Sequence, residues 1–325
     1  MTTSAAPYPR LLADVGGTNA RFAWLAADGA PIGQVQVLPC AQHASLADAV
    51  RHYLTLEGLP PPRSMAMGIA TPVVGDLVRM TNHHWSFSQQ ALQAELGLDL
   101  LLVLNDFTAL ALALPSLPAS QLRQIGGGAP LADRPKALLG PGTGLGVSGL
   151  VPAPSGWIPL AGEGGHITLA AHDDREEALI RHLRQRYGHV SAERALCGAG
   201  LVALYEAVCS VDGREADTLL PSDVSARCLA GTDAACAEAL SHFCALLGSV
   251  AGDLALTLGA HGGVYIGGGI APRLGDYLAT SRLRERFEDK GRFQTYLASI
   301  PLLVIDASIS PALDGAARAL QQASI

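Results

Sequence analysis

The chain has 325 residues, 49% of them hydrophobic and 16% charged, with a formal net charge of −7 and an isoelectric point near 5.8. At about 150 residues per domain, this length points to two domains with ample core material. The acidic balance excludes the basic footprint that nucleic acid or an anionic membrane surface requires, so neither is an expected partner.

The first residues, MTTSAAPYPR, lack a basic start followed by an apolar run, so no secretory signal is expected and the expected compartment is the cytoplasm. Residues 10 to 15 and 20 to 26 are apolar runs flanking Gly16-Gly17-Thr18-Asn19, which reads as a strand, a tight turn and a returning strand. Apolar spacing through Leu46, Val50 and Leu54 predicts a helix over 45–57 with Ser45 as its N-cap, followed by a strand at 65–70. The run Leu100 to Leu104 is too short for a core helix, so it predicts a buried strand, and a helix follows over 107–114. Asn105-Asp106 therefore stands at the carboxyl end of a buried strand.

After a Gly/Pro-rich passage at 115–135 the pattern repeats, with a strand at 137–139, a glycine turn and a strand at 147–151. No charge falls between Lys136 and Glu163, but Pro141, Pro152, Pro154 and Pro159 exclude a membrane-spanning helix there. Helices are expected at 175–187, 200–210 and 233–258, a strand at 262–270 running into Gly267-Gly268-Gly269, a strand at 301–305 and a helix at 312–322. The whole reads as a smaller α/β domain of residues 1–115 plus 307–325 and a larger α/β domain of residues 116–306. The six cysteines, at positions 40, 197, 209, 228, 236 and 244, show no zinc spacing and are expected as buried free thiols.

The two lysines, Lys136 and Lys290, stand in neither a P-loop nor a protein-kinase strand, which closes both routes to a phosphate. Gly144 to Gly149 matches G-x-G-x-x-G, but a strand-like run and a proline follow it rather than a helix, and no acid lies about 20 positions on. Three glycine turns remain: Asp14 to Asn19, Gly140 to Gly146, and Gly267 to Gly269. Glycine lets main-chain N–H groups converge on an anion, and Thr18 and Thr143 add hydroxyl donors. Asp14 beside a phosphate site makes sense when Mg²⁺, held through water, lies between them. Any one such turn taken singly reads as a plain hairpin.

For Asn105-Asp106 the plain reading is an Asx turn capping the next helix, and the chemical one is an amide that orients a hydroxyl beside a carboxylate that takes its proton. Glu163-Gly-Gly-His166 places an acid and an imidazole where both can bond sugar hydroxyls. Glu193 is either a partner to them or a first-turn helix acid favoured by the dipole. His83-His84-Trp85 has no third ligand in view and reads as structural.

The segments ADVGGTNARFAW, GIATPVVGDLVRMTNHHWSFS, LNDFTALALALP, LGPGTGLGVSGL, AGEGGHI, GHVSAERALCGAGLVALY, GGVYIGGGIAPR and FEDKGRF, spread over nearly the whole chain, resemble the bacterial glucokinases. The resemblance implies the two-domain actin-like ATPase (ribonuclease H-like) fold, with a cleft between a smaller and a larger domain. It implies ATP at Ala13, Asp14, Val15, Gly16, Gly17 and Thr18 and at Gly142, Thr143 and Gly144, with adenosine near Gly267, Gly268 and Gly269. It assigns glucose to Asn105, Asp106, Glu163, His166 and Glu193, with Asp106 as the base, and implies a homodimer. Pro311 to Gly315 departs from the family's more apolar glycine-rich turn. The cysteine-rich zinc motif of the related repressor and sugar-kinase family is missing. The resulting expectation is a glucokinase using ATP and Mg²⁺. The alternatives are a kinase for another hexose, a non-catalytic sugar sensor and an actin-like filament subunit. A β-branched residue at Gly144 is expected to weaken nucleotide binding far more than sugar binding.

Overall fold

The computed structural model describes residues 6–306 and 311–323. It divides into two compact units, one of Met1–Pro118, Leu150–Ala161 and Ala307–Ile325, the other of Ala119–Gly149 and Gly162–Asp306. Residues 1–5, 307–310 and 324–325, included in the expected smaller domain, lie outside the described residues.

The first unit opens with strands β1 (Arg10–Val15), β2 (Asn19–Leu25) and β3 (Gly33–Pro39), then helix α1 (Leu46–Glu57) and strand β4 (Ser64–Ile69). A short hairpin of β5 (Leu77–Arg79) and β6 (Ser86–Ser88) and helix α2 (Gln89–Glu95) lead to β7 (Leu100–Asn105) and helix α3 (Asp106–Ala113). The sheet order is β3-β2-β1-β4-β7. Strand β4 runs parallel to β1 and β7 parallel to β4, with Val15 opposite Ile69 and Ile69 opposite Asn105. That register brings the turn after Val15 and the Asn105-Asp106 pair out at the same edge.

Local chemistry explains the elements. Ser45 Oγ accepts from the Asp48 main-chain N–H at 3.1 Å and so starts α1, and Gly58 ends it in the left-handed region at φ 62°. One face of α1 buries Leu46, Ala49, Val50 and Tyr53, and burial of each large side chain contributes about 1.5–3 kcal/mol.

In the second unit β8 (Leu122–Gln124) precedes β9 (Lys136–Pro141) and β10 (Leu145–Ala153), and β10 runs on past Gly149 to β11 (Gly156–Ala161) in the first unit. Helices α4 (Asp174–Tyr187), α5 (Ala192–Ala195), α6 (Gly198–Val211), α7 (Pro221–Leu229) and α8 (Ala234–Leu258) follow, then β12 (Val264–Ile266). Short helices α9 (Asp276–Thr280), α10 (Leu283–Glu288) and α11 (Gln294–Ala298) lead to β13 (Leu302–Ile305), and α12 (Ala312–Gln322) completes the first unit. Strands β12 and β13 stack in parallel beside β9, as β4 and β7 do beside β1. Both halves therefore consist of a glycine-turned hairpin followed by two parallel strands on its first strand.

Three details of the sequence reading are resolved by the structure, the first two as differences. Residues 150–161, expected in the larger domain, fall in the first unit, where the Gln322 side-chain amide exchanges hydrogen bonds of 2.8 and 3.1 Å with the Trp157 main chain. The strand expected over 262–270 is confined to Val264–Ile266, because Gly268 turns away at φ 77°. Gly315, within the divergent segment, lies where α12 crosses α3 so closely that an added Cβ would collide with the Ala109 carbonyl.

Helix α8 is long and apolar enough to cross a membrane, but 72% of its apolar window is buried inside the structure, as expected of a core helix. Beside it, Glu176 on α4 and Arg286 on α10 form a two-bond ion pair at 1% exposure each, and Ser249 accepts a further bond from Arg286 at 2.8 Å.

Candidate functional site

In the first unit the candidates gather at the carboxyl edge of β1 and β7. The glycine turn closes through Gly16 N–H to the Asn19 carbonyl at 2.9 Å, and the Cys40 N–H donates to the Thr18 carbonyl at 2.8 Å. Thr18 points to solvent, whereas the side chains of Ala13 and Val15 are fully buried. With β1 paired on both sides, Ala13 has its main chain committed to the sheet, and the Gly16 N–H is taken by Asn19, so Gly17 and Thr18 are the residues of this turn open to an anion.

Asp14 faces Arg21 across the β1–β2 ladder, and the Arg21 guanidinium donates to its Oδ2 at 3.3 Å. Sequence reading missed Arg21, although the register of a four-residue hairpin turn would have found it.

Asn105 caps α3, its Oδ1 accepting from Phe107 N–H at 3.0 Å and Thr108 N–H at 3.3 Å, while its Nδ2 donates to the Thr71 carbonyl at 3.4 Å. The capping role and the substrate-orienting role are thus compatible only through the second Nδ2 hydrogen. Asp106 begins the helix, and its Oδ1 accepts from Phe107 N–H at 2.9 Å. Burial, with a further push from the Asp14 charge, raises its pKa from 3.8 to about 6 against the lowering effect of the Phe107 N–H. A carboxylate raised that far is a stronger base than a free one.

In the second unit β10 organises the rest. Gly142 N–H bonds the Gly144 carbonyl at 2.8 Å, and the Gly198 N–H at the start of α6 donates to the Gly142 carbonyl at 2.9 Å. Gly268 packs so tightly on Pro141 that any Cβ would strike its carbonyl, and Gly267 N–H donates to the Leu139 carbonyl at 2.9 Å. The second and third glycine turns are therefore neighbours at the ends of β9 and β12.

Glu163 precedes and His166 ends a short 3-10 turn (Gly164–His166), and both are exposed. Its inner glycines are required by space, because a Cβ on Gly164 would meet Val147 and one on Gly165 the Leu145 carbonyl. The chain after His166 pairs with the chain before Glu193, through Leu169 N–H to the Val190 carbonyl at 3.0 Å and Ala192 N–H to the Ile167 carbonyl at 2.9 Å. This brings Glu193 to β10, where its Oε2 accepts from Leu145 N–H at 2.9 Å. Glu193 is in the first turn of α5, as the plain reading has it, but its carboxylate is turned onto β10.

Of the remaining candidates, Trp85 is buried and donates its Nε1–H to the His43 carbonyl at 3.1 Å, with the His83 ring edge-on at 4.8 Å. All six cysteines are free and buried.

Each unit, taken by itself, carries groups suited to part of a magnesium nucleotide. A Cβ added at Gly269 would meet nothing within 4 Å and one at Gly142 only the Gly144 carbonyl at 4.0 Å, so these turns leave space beside the main chain for a ligand. Asp14 and Asp106 offer hard oxygen donors. Among the described residues no group of three or more His, Cys, Asp and Glu forms a protein-only cage. Mg²⁺ bound with phosphates keeps several waters and needs only one or two carboxylates.

Comparison with known proteins is consistent over nearly the whole chain. A family model described as Glucokinase matches residues 11–323. A curated glucokinase of Aromatoleum aromaticum is 59% identical over 317 residues, covering 97% of this chain and 96% of that relative. One from Neisseria meningitidis serogroup B is 51% identical over 315 residues, covering 97% and 95%. Among solved structures, a glucokinase from an Antarctic psychrotroph superposes with a TM-score of 0.89 at 38% identity, over 97% of this chain and 99% of the other. A ROK family glucokinase from Streptomyces griseus in complex with glucose and AMPPNP shares the fold at a TM-score of 0.58 and 19% identity, over 97% and 100%.

Proposed function

The chain belongs to the glucokinase family and is a glucose kinase with the two-domain actin-like fold, and from that premise we propose that it transfers the terminal phosphoryl group of ATP to the 6-hydroxyl of D-glucose, with Asp106 as the base. The observation that carries this reading is Asp106 itself, a helix-starting carboxyl raised to about 6 by burial and by Asp14.

In this reading Asn105, Glu163, His166 and Glu193 bind the sugar hydroxyls with Asp106. A sugar lacking or inverting one hydroxyl leaves an unpaired polar group that costs about 1–3 kcal/mol, so recognition by several such groups is selective. Gly17, Thr18, Thr143 and Gly144 hold the ATP phosphates through main-chain N–H groups and hydroxyls, Gly16 and Gly142, whose own N–H groups close their turns, let the phosphates approach, and Gly267 to Gly269 meet the adenosine. Asp14, oriented by Arg21, would hold Mg²⁺, which when bound would neutralise phosphate charge. Phosphoryl transfer has a loose transition state, so the chain's own work is alignment, exclusion of water and removal of the hydroxyl proton by Asp106. The working form in this proposal is a cytoplasmic homodimer that feeds glucose 6-phosphate to glycolysis.

A kinase for another hexose and a non-catalytic sensor are not favoured, since full-length curated relatives at 49 to 59% identity are glucokinases. A filament subunit leaves the acids and the histidine of the second unit unexplained. The test is a coupled assay with ATP, Mg²⁺ and a panel of glucose, mannose, fructose and glucosamine. Turnover highest on another hexose, or none on any, would overturn the proposal.

A further inference from the structure

Gly17 does not occupy the left-handed region, so its backbone alone does not call for glycine. Space does: a Cβ there would lie 3.1 Å from the Asn82 Cβ and 3.2 Å from the Asn82 carbonyl oxygen. The loop between β5 and β6 therefore rests directly on the first phosphate turn, 65 residues away in sequence. Its placement is firm. Thr71, 5% exposed, donates its hydroxyl to the Arg79 carbonyl at 2.8 Å and meets the Thr81 hydroxyl at 3.2 Å. Met80 N–H bonds the Trp85 carbonyl at 3.1 Å, and Trp85 is anchored in the core through His43.

Thr71, which follows β4 and holds this loop through Arg79 and Thr81, also reaches the acceptor side, because its carbonyl takes the hydrogen bond from Asn105 Nδ2, one residue before the base. Asn82 thus rests on the turn proposed to meet phosphates, and its neighbour Thr81 meets the Thr71 that bonds the pair proposed to meet the attacking hydroxyl. Its side chain is exposed and makes no hydrogen bond among the described residues. We infer that the Asn82 amide is a further substrate-binding group that donates to the terminal phosphoryl group of ATP and fixes it in line with the sugar hydroxyl. This rests on the reading of Asp14 to Thr18 as the phosphate turn. An amide suits the position: it supplies a directed donor to an anionic oxygen without adding positive charge beside the Mg²⁺ that Asp14 is proposed to hold.

The experiment is calorimetric titration of the full-length protein and its Asn82→Ala and Asn82→Gln variants with ADP, with a non-hydrolysable ATP analogue and with glucose, all with Mg²⁺. A lost hydrogen bond to a charged oxygen predicts about a tenfold or greater fall in affinity for the triphosphate analogue in Asn82→Ala. ADP and glucose affinities should stay within about twofold of the parent, since neither carries that phosphoryl group. Asn82→Gln, which keeps the donor, should recover part of the loss, as a merely structural role would not. Equal losses for ADP and the analogue, a loss confined to glucose, or no loss at all overturns the assignment of Asn82. A Thr18→Val variant isolates the underlying reading: undiminished affinity for both nucleotides there removes the phosphate turn itself.

Discussion

Glu193 and Leu145 are joined by a hydrogen bond of 2.9 Å from the Leu145 N–H to the Glu193 carboxylate, so an acid proposed for the sugar is fastened to the strand that leaves the second phosphate turn. A Cβ on Gly144 would lie 2.5 Å from the same carboxylate oxygen. The sequence expectation that Gly144→Val harms nucleotide binding far more than sugar binding is therefore revised. The side chain added there displaces Glu193, and losing its bond to the N–H costs about 1.5–3 kcal/mol. The expected result is a rise of roughly tenfold in the Michaelis constants for both glucose and ATP, measured by a coupled assay on folded variant. An unchanged glucose constant would refute the coupling.

Glu163 and His166 are exposed and held by a turn whose two glycines pack on β10, so trimming their side chains leaves the scaffold intact. Glu163→Gln and His166→Ala should each raise the Michaelis constant for glucose by about tenfold, the worth of one hydrogen bond to a charged group, with that for ATP within about twofold. A rise for ATP alone would move this turn out of the sugar site.

Much of this was legible because short-range chemistry decided it. Gly16-Gly17 and Gly142 to Gly144 announce their hairpins, Ser45 its helix, and the short apolar run before Asn105 the buried strand whose end carries Asp106. What could not be read depends on contacts remote in sequence. Nothing local says that Asn82 rests on Gly17, or that Glu193 reaches Leu145, because each is fixed by how sheets and loops pack. The three-residue strands β5 and β6 carry little periodicity, and β12 read too long because its apolar run continues into glycines that leave the ladder.

The buried pair Glu176–Arg286 predicts how the second unit responds to acid. Burial alone would push the Glu176 carboxyl up, but the His242 ring 3.7 Å away, the bonds from Arg286 and the bond from the His172 N–H overcome it and hold its pKa at about 2 instead of 4.5. Its contribution is complete above about pH 4.5 and is lost as pH falls toward 2. Glu176→Gln strands the Arg286 charge and should cost about 3–5 kcal/mol at neutral pH, read from denaturant midpoints. A loss below about 1 kcal/mol, the level of a surface pair, would show that Arg286 finds other partners.

The raised carboxyl of Asp106 gives a signature in rate. As a base it works only when ionised, so kcat/KM for glucose should be level at pH 7.5 to 8 (~2 units above the group) and fall about tenfold per unit once pH drops below about 6. The profile must be taken at saturating Mg²⁺ and ATP, so that nucleotide protonation does not supply the same limb. A flat profile down to about pH 5 would mean that proton removal by Asp106 does not limit the reaction.

The Asp106→Asn variant separates chemistry from stability, and the two should move in opposite directions. An amide keeps the size of the carboxylate and one oxygen acceptor, so Phe107 N–H retains its partner and glucose still binds measurably. It cannot accept the proton of the attacking hydroxyl, so kcat should fall by about 10² to 10⁴. Folding is helped by the same change. Because the folded carboxyl titrates near 6 and the unfolded one near 3.8, the folded protein holds a proton that the unfolded chain releases, and stability declines as pH rises through that window. Above it the full penalty persists, and removing the charge relieves about 1–3 kcal/mol. At pH 8 the variant should melt higher than the parent, and the gap should close as pH approaches about 4. Calorimetric glucose titration, a coupled assay and melting curves at both pH values on one preparation decide it. A variant that keeps more than about a tenth of parental kcat reduces Asp106 to a helix-starting residue, and one that melts lower at pH 8 shows that its charge was welcome in the fold.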